Sequence, residues 1–166
     1  MAKTKIQKKA ILERLVGAFK GGNPSVFVHF RGVSVADETA MRRSLRDMGI
    51  AYFVAKKTLI IKALNESGLK GSVPELGGEV AVAYATGGTD TTAPARELHV
   101  FMKKFGAERF SILGGIFEEK IQGKEQILEV ATIPTMTVLR GMFANVINSP
   151  IQRFVVALDQ IAQKKA

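Results

Sequence analysis

Cationic side chains that could bind phosphate groups are concentrated in the stretch from Val26 to Leu64. Its central, helix-like segment contains Arg42, Arg43 and Arg46, which are related by steps of three and four and so share one helix face. Further cations follow the two β-rich runs that flank this segment. Clustered guanidinium and ammonium groups suit a polyanion, because neutralising its phosphates releases counterions. The cations of this stretch are Arg31, Arg42, Arg43, Arg46, Lys56, Lys57 and Lys62.

The distribution of charge along the chain supports one polyanion-binding surface. The net charge is +9, from 24 Lys and Arg against 15 Asp and Glu. Residues 1–70 hold 14 of the cations and 5 of the acids, whereas residues 71–166 hold 10 of each. Segregated charge of this kind favours a dedicated surface for nucleic acid over a protein that is merely basic. A basic face that is only solvated is the alternative.

Two helix features extend this predicted surface. Thr58 is expected to cap a helix over Leu59–Ser67, whose free N–H groups would lie beside the preceding lysines and bind phosphate. A first helix is predicted over Lys3–Lys20, with several lysines lying mostly off its apolar stripe. Those lysines either form a solvated face or contact phosphate in part. They are Lys5, Lys8 and Lys9.

The common patterns of catalytic and metal sites are missing from the sequence. There is no cysteine, and the two histidines, His29 and His99, stand far apart in the chain. Glu118 and Glu119 are neighbours in a predicted strand, so they point apart instead of facing each other as an acid–base pair. The loop over Thr86–Thr92 lacks the lysine and the spacing of a P-loop. We therefore expect no enzymatic activity, no catalytic or metal-binding residues and no cofactor.

The elements that would position the cations alternate between strands and helices. Strands are predicted over Val26–Phe30, Tyr52–Ala55, Val80–Ala85 and Phe110–Ile121, the last with a bulge or kink at its two glycines. The alternation indicates an α+β fold of about four strands packed with helices in a two-layer sandwich. A small α/β fold with a parallel sheet fits the same alternation. No apolar run is long enough to cross a bilayer, and the N-terminus lacks the apolar core of a secretory signal.

The segment Met136–Gln163 differs in composition from everything before it. It has no strand signal, one internal helix breaker at Pro150, and two apolar stripes offset from each other by 12 residues. The helix predicted here is expected to be bent or broken near the proline. One interpretation is a terminal helix docked on its own domain. The other is a projecting arm whose two stripes each receive a pair of partner helices. The stripes are Leu139, Met142, Phe143, Val146 and Ile147, and then Ile151, Phe154, Val155, Leu158 and Ile161.

Four short motifs, taken in order and spacing, resemble one known family. They are Arg31–Val35, Met41–Arg46, Val54–Leu59 and Ala131–Thr135, the last standing before the long terminal helix. Together they resemble the bacterial stalk-base protein of the large ribosomal subunit, the large ribosomal subunit protein ten family. The resemblance covers nearly the whole chain. The family usually has Asn at position 57 and Pro at position 79, where this chain has Lys and Glu.

The resemblance implies a ferredoxin-like domain over residues 1–134 that binds large-subunit ribosomal RNA beside a neighbouring ribosomal protein. It implies that a helix over residues 135–166 binds dimers of the acidic stalk protein, which recruit translational GTPases. Because this chain has two apolar stripes, we predict two dimers. It also implies a cytoplasmic, ribosome-bound protein that can repress its own messenger. A paralogous RNA-binding assembly factor, expected to lack the two stripes, is the alternative. The residues at positions where the family meets RNA are Arg31, Arg42, Arg43, Arg46, Lys56, Lys57 and Thr58.

Overall fold

The computed structural model describes residues 5–69, 71, 74–87, 90–106 and 108–165. It divides into two compact units, Met1–Ile133 and Pro134–Ala166. The strands are β1 (Ser25–Phe30), β2 (Ile50–Val54), β3 (Val80–Ala85), β4 (Phe110–Phe117) and β5 (Lys120–Gly123). The helices are α1 (Lys5–Lys20), α2 (Val35–Asp47), α3 (Lys57–Ser67), α4 (Ala93–Phe105), α5 (Lys124–Thr132) and α6 (Met136–Lys165).

The described strands form one antiparallel sheet in the order β2-β3-β1-β4-β5. Strands β1 and β2, joined by α2, run in the same direction with β3 between them. Strands β3 and β4, joined by α4, likewise run in the same direction, with β1 between them. This split β-α-β arrangement is the ferredoxin-like pattern, so the predicted α+β class is confirmed and the parallel sheet is excluded.

Helices cover both faces of the sheet. On one face, Phe27 and Val82 pack with α1 and α3, through buried side chains such as Leu15 and Ile60. On the other face, Val26, Val28 and Ala81 pack with α2, α4 and α5. Because successive strand residues point to opposite faces, a sheet covered on both faces favours apolar residues at successive positions, as in β3 here. The sandwich therefore has three layers rather than the two expected.

The segment predicted as one strand over Phe110–Ile121 is a hairpin of β4 and β5. The two residues between the strands, Glu118 and Glu119, both have positive φ, at 50° and 61°. They form a two-residue turn between the paired Phe117 and Lys120. The predicted irregularity at the glycines is confirmed, because the register of β4 against β1 shifts beside Gly114.

The β4–β5 turn gives a stability prediction. Replacing Glu118 by Asn and Glu119 by Gly is expected to raise the free energy of unfolding by about 1 kcal/mol, because these residues tolerate positive φ in hairpin turns. Urea unfolding of both proteins measures the difference. The same pair of changes at Glu125 and Glu129, which lie in α5, should lower stability. No gain from the turn variant would show that the glutamates are unstrained.

Helix α3 begins earlier than expected. It starts at Lys57, with Lys56 in the N-cap position and no side-chain cap hydrogen bond. Thr58 is thus the second helical residue, and the prediction that it caps the helix is wrong. The end of the helix follows sequence rules, since Gly68 adopts the left-handed conformation with φ 69°.

Helix α6 comprises 30 residues, about 45 Å at 1.5 Å per residue. Pro150 lies inside it, so the helix is not interrupted there, and a bend at this position stays a prediction. Among the described residues, no single helix is long and apolar enough to cross a membrane. The consecutive helices α5 and α6 meet the length and composition criteria only when counted as a pair.

Candidate nucleic-acid interface and partner helix

The cations that follow β1 and β2 are brought together at one end of the sheet. Because both strands run in the same direction, their last residues lie at the same end. The cations after β2 line a cavity of about 590 Å³ together with Phe30, Gly78 and Glu79. Arg31 lines a neighbouring cavity that shares those three residues. The predicted site residues gathered here, all exposed, are Arg31, Lys56, Lys57 and Thr58.

Two further cations at this end were missed from the sequence. The backbone N–H of Arg31 donates a hydrogen bond to the carbonyl oxygen of Arg109, at 2.7 Å. Arg109 and Lys104 line a cavity of about 460 Å³ with Gly32, Ser34 and Asp37. Both belong to residues 71–166, in which positive and negative charges are equal in number. Counting charged residues by segment therefore did not reveal them. The fold places them beside the basic half.

The three arginines of α2 differ in their surroundings. Arg42 forms an ion pair with Glu38, one turn earlier, with its Nη2 at 2.6 Å from the carboxylate oxygen, and its guanidinium lies over the ring of Tyr52. Arg43 and Arg46 are exposed. The sequence interpretation did not count Glu38, which balances part of the charge. The charges of the other two arginines are not balanced in this way by any ion pair among the described residues.

The remaining predicted cations lie on the layer formed by α1 and α3. These helices pack side by side through buried residues including Phe19 and Leu64. Lys8, Lys9 and Lys62 are exposed on this layer. The side chain of Lys5 lies outside the described residues. The structure does not bring these lysines into either cavity at the strand ends, and their contact with phosphate stays a prediction.

Both apolar stripes of α6 face solvent. All ten predicted residues are exposed, with Phe154 at 65% and Leu158 at 50% of their full accessible area. Exposed apolar patches of this extent on a helix mark interaction sites. The surface predicted to bind partner helices is therefore exposed in the structure.

Among the described residues, no group of three or more His, Asp or Glu side chains is placed to hold a metal ion. The Nδ1–H of His29 donates a hydrogen bond of 2.9 Å to the carbonyl oxygen of Glu79, and so helps to fix the loop before β3. Burial and the nearby Lys103 hold the pKa of His99 below its ordinary value. The hydrogen bond fits a structural role for His29.

Comparison with known proteins decides the family. The sequence profile described as ribosomal protein L10 matches residues 3–103, more than half of the chain. The chain belongs to the ribosomal protein L10 family. A relative named large ribosomal subunit protein uL10, from Shouchella clausii, is 33% identical over 99% of this chain and 97% of its own length. Relatives with the same name from Pelotomaculum thermopropionicum and Staphylococcus carnosus are 33% and 31% identical, over 98% and 95% of this chain and 97% and 93% of their own lengths.

As a member of the L10 family, the chain is a protein of the large ribosomal subunit and functions in translation in association with the ribosome. The resemblance stated from the sequence motifs is thereby confirmed. Membership in a ribosomal protein family also argues against the small enzyme that the sequence motifs failed to support.

The phenol of Tyr52 gives a prediction for this L10 family protein. Its hydroxyl is buried without a hydrogen-bond partner among the described residues. Burial, together with the Glu38 carboxylate, holds the pKa of Tyr52 well above its ordinary value, against the opposing effect of Arg42. Tyr52→Phe is expected to raise the free energy of unfolding by about 1 kcal/mol, because an unpaired buried hydroxyl is removed.

The pKa shift adds a pH signature. The unfolded phenol ionises near pH 10, whereas the folded one keeps its proton, so the wild type should lose stability as pH rises above 10. Tyr52→Phe should lose less in that range, as measured by urea unfolding at pH 7 and pH 11. Tyr84→Phe is the control and should lower stability, because the Tyr84 hydroxyl accepts a hydrogen bond from Arg14. A wild type and a Tyr52→Phe variant with equal alkaline profiles would contradict the assignment.

Proposed function

We propose that this protein binds large-subunit ribosomal RNA through the unit Met1–Ile133 and anchors two dimers of the acidic stalk protein through α6. The observation that supports this most strongly is the exposure of all ten stripe residues on a helix of 30 residues. A helix with such a surface needs partner helices to cover it. The partner dimers would recruit translational GTPases, and the protein would act as the stalk base, a structural role without catalysis.

The RNA-binding part of the proposal rests on exposed cations. Arg31, Lys56 and Lys57 converge at one end of the sheet, and Arg43 and Arg46 project from α2. Exposed cations in such density favour phosphate contacts, whose strength falls steeply with salt. A neighbouring ribosomal protein would bind beside the same RNA. The same surface would allow the protein to bind its own messenger in the cytoplasm and repress its translation.

The number of dimers follows from the two stripes. The first stripe ends at Ile147 and the second begins at Ile151, with Pro150 between them. Equivalent residues in the stripes, such as Phe143 and Val155, are offset by 12 positions. Two similar surfaces in series provide two equivalent binding segments, and each would receive one dimer.

Co-purification from native lysate tests both parts together. The full-length protein should bring down large-subunit ribosomal RNA and a small acidic protein in fourfold molar excess, which corresponds to two dimers. RNA without the acidic protein would favour the assembly-factor alternative. The acidic protein without RNA would contradict the RNA-binding part of the proposal.

A further inference from the structure

We propose that the outer edge of β2 is an additional phosphate-binding site for RNA, in which Arg14 of α1 acts together with Arg42 and Arg46 of α2. This inference rests on the proposed RNA-binding function and adds a residue and a surface to it. It depends on three features of the β2 edge, namely fixed guanidinium groups, a cavity, and unpaired backbone groups.

Arginines from both helical layers are held against β2. The guanidinium of Arg14 lies over the ring of Phe53, 5.1 Å from its centroid, and its Nε donates a hydrogen bond of 3.1 Å to the hydroxyl of Tyr84. The guanidinium of Arg42 lies over the ring of Tyr52, also at 5.1 Å. Because Tyr52 and Phe53 are consecutive in a strand, their rings point to opposite faces of the sheet. The two arginines therefore flank the edge of one strand.

The space between these arginines is a cavity of about 360 Å³. It is lined by the three arginines and by the start of β2, and the lining residues include no acidic side chain in the described part of the chain. Glu38 pairs with Arg42 but does not line the cavity. Positive charge from Arg14 and Arg46 thus faces the cavity without a carboxylate there to neutralise it. The lining residues are Arg14, Arg42, Arg46, Gly49, Ile50, Ala51, Tyr52 and Thr86.

The backbone of β2 contributes a donor. Among the described strands, β2 pairs only with β3, so it is an edge strand. Gly49 accepts a hydrogen bond from Thr86, and Ala55 donates one to Val80, at 2.9 and 3.3 Å. In an antiparallel pair, every second residue of a strand hydrogen-bonds to the partner strand. Gly49 and Ala55 do so, and Tyr52 lies three residues from each of them. The backbone N–H of Tyr52 therefore faces away from β3. Unpaired strand N–H groups beside cations are suited to an anionic oxygen.

Phosphate of RNA fits this site better than an isolated anion. Guanidinium groups fixed on aromatic rings present several donors in a plane, a geometry that matches phosphate oxygens. Arg46 belongs both to this cavity and to the α2 face that the proposed function assigns to RNA. An RNA strand whose backbone crosses α2 could therefore continue along the edge of β2 without leaving the basic surface.

The test compares Arg14→Gln with Lys120→Gln in the full-length protein. Both changes remove one exposed cation, but Lys120 begins β5, at the opposite edge of the sheet. Binding to isolated large-subunit ribosomal RNA is measured at several salt concentrations. Arg14→Gln should weaken binding by about tenfold. It should also reduce the magnitude of the negative slope of log affinity against log salt by about 0.7 to 0.9. Lys120→Gln should change neither.

A second variant tests the role of the ring. Phe53→Leu keeps every charge but removes the surface against which Arg14 is held. Affinity for RNA should fall by a smaller factor, about threefold, while the salt slope stays at the wild-type value. Circular dichroism and thermal unfolding of all variants check that the fold is kept. If Phe53→Leu has the RNA affinity and the salt dependence of the wild type, then the Phe53 ring does not position Arg14.

The outcomes separate this inference from the proposed function. If the wild type fails to bind ribosomal RNA, the proposed function is wrong. If the wild type binds and Arg14→Gln binds equally well, only the β2-edge site is rejected. If Arg14→Gln weakens binding of inorganic phosphate or of polyglutamate but not of RNA, the edge accepts a free anion or an acidic protein segment, and its assignment to RNA is wrong.

Discussion

Replacing Arg42, Arg43 and Arg46 together by glutamate is expected to abolish binding to large-subunit ribosomal RNA. Each lost hydrogen bond between a guanidinium and a phosphate costs about 1.5–3 kcal/mol, and three reversed charges add repulsion. Affinity should therefore fall by more than a factor of about a thousand. Filter binding or electrophoretic mobility shift with isolated ribosomal RNA, at several salt concentrations, measures the loss.

The matched control reverses three exposed cations elsewhere, at Lys103, Lys120 and Lys124. It changes the net charge by the same amount, so it should lower RNA affinity only through long-range repulsion, which salt screens. Glutamates near the C-terminal end of α2 interact unfavourably with the helix dipole and would destabilise the helix. A variant with glutamine at all three arginine positions removes the positive charges without this effect. If the arginine and lysine variants lose affinity equally, then net charge alone accounts for binding.

The second large effect is expected at the far end of the chain. Phe154→Asp combined with Leu158→Asp should reduce the number of bound acidic dimers from two to one and leave RNA binding unchanged. Both side chains are at least half exposed in the unbound helix, so the fold does not depend on them. In the complex they would be covered, and each unpaired carboxylate would cost about 2–4 kcal/mol. Native mass spectrometry of the reconstituted complex gives the stoichiometry directly.

The helix offers controls within itself. Gln152→Asp with Gln160→Asp adds the same charge to α6 away from the second stripe, and should leave two dimers bound. Met142→Asp with Val146→Asp should remove the other dimer, and all four stripe changes together should remove both. Loss of both dimers from the Phe154 and Leu158 variant alone would indicate one continuous site instead of two.

The sequence predicted the elements more accurately than their arrangement. Strand β3 is found with the bounds predicted for it, because a short apolar run marks it. The sheet order and the third layer depend on which apolar faces meet, and periodicity does not record that. The turn at Glu118 was missed because glutamate is uncommon at positive φ, so no local signal announced it.

The candidate site shows the same division. Clusters of cations close in sequence, such as those after β2, are visible as motifs. Arg14 and Arg109 are not, because each stands next to an acidic residue and gains its cationic neighbours only through the fold. Glu38 was not considered from the sequence, although an acidic residue one turn before Arg42 is placed to pair with it.

The uncovered stripes of α6 also bear on the abundance of this protein in the cell. Ten exposed apolar side chains on one helix resemble the surfaces that chaperones and proteases recognise on incompletely folded chains. A copy that lacks its partner would be removed, whereas a copy whose helix is covered would survive. The supply of the partner would then set the steady-state amount of this protein, and the two would be kept in proportion by selective degradation.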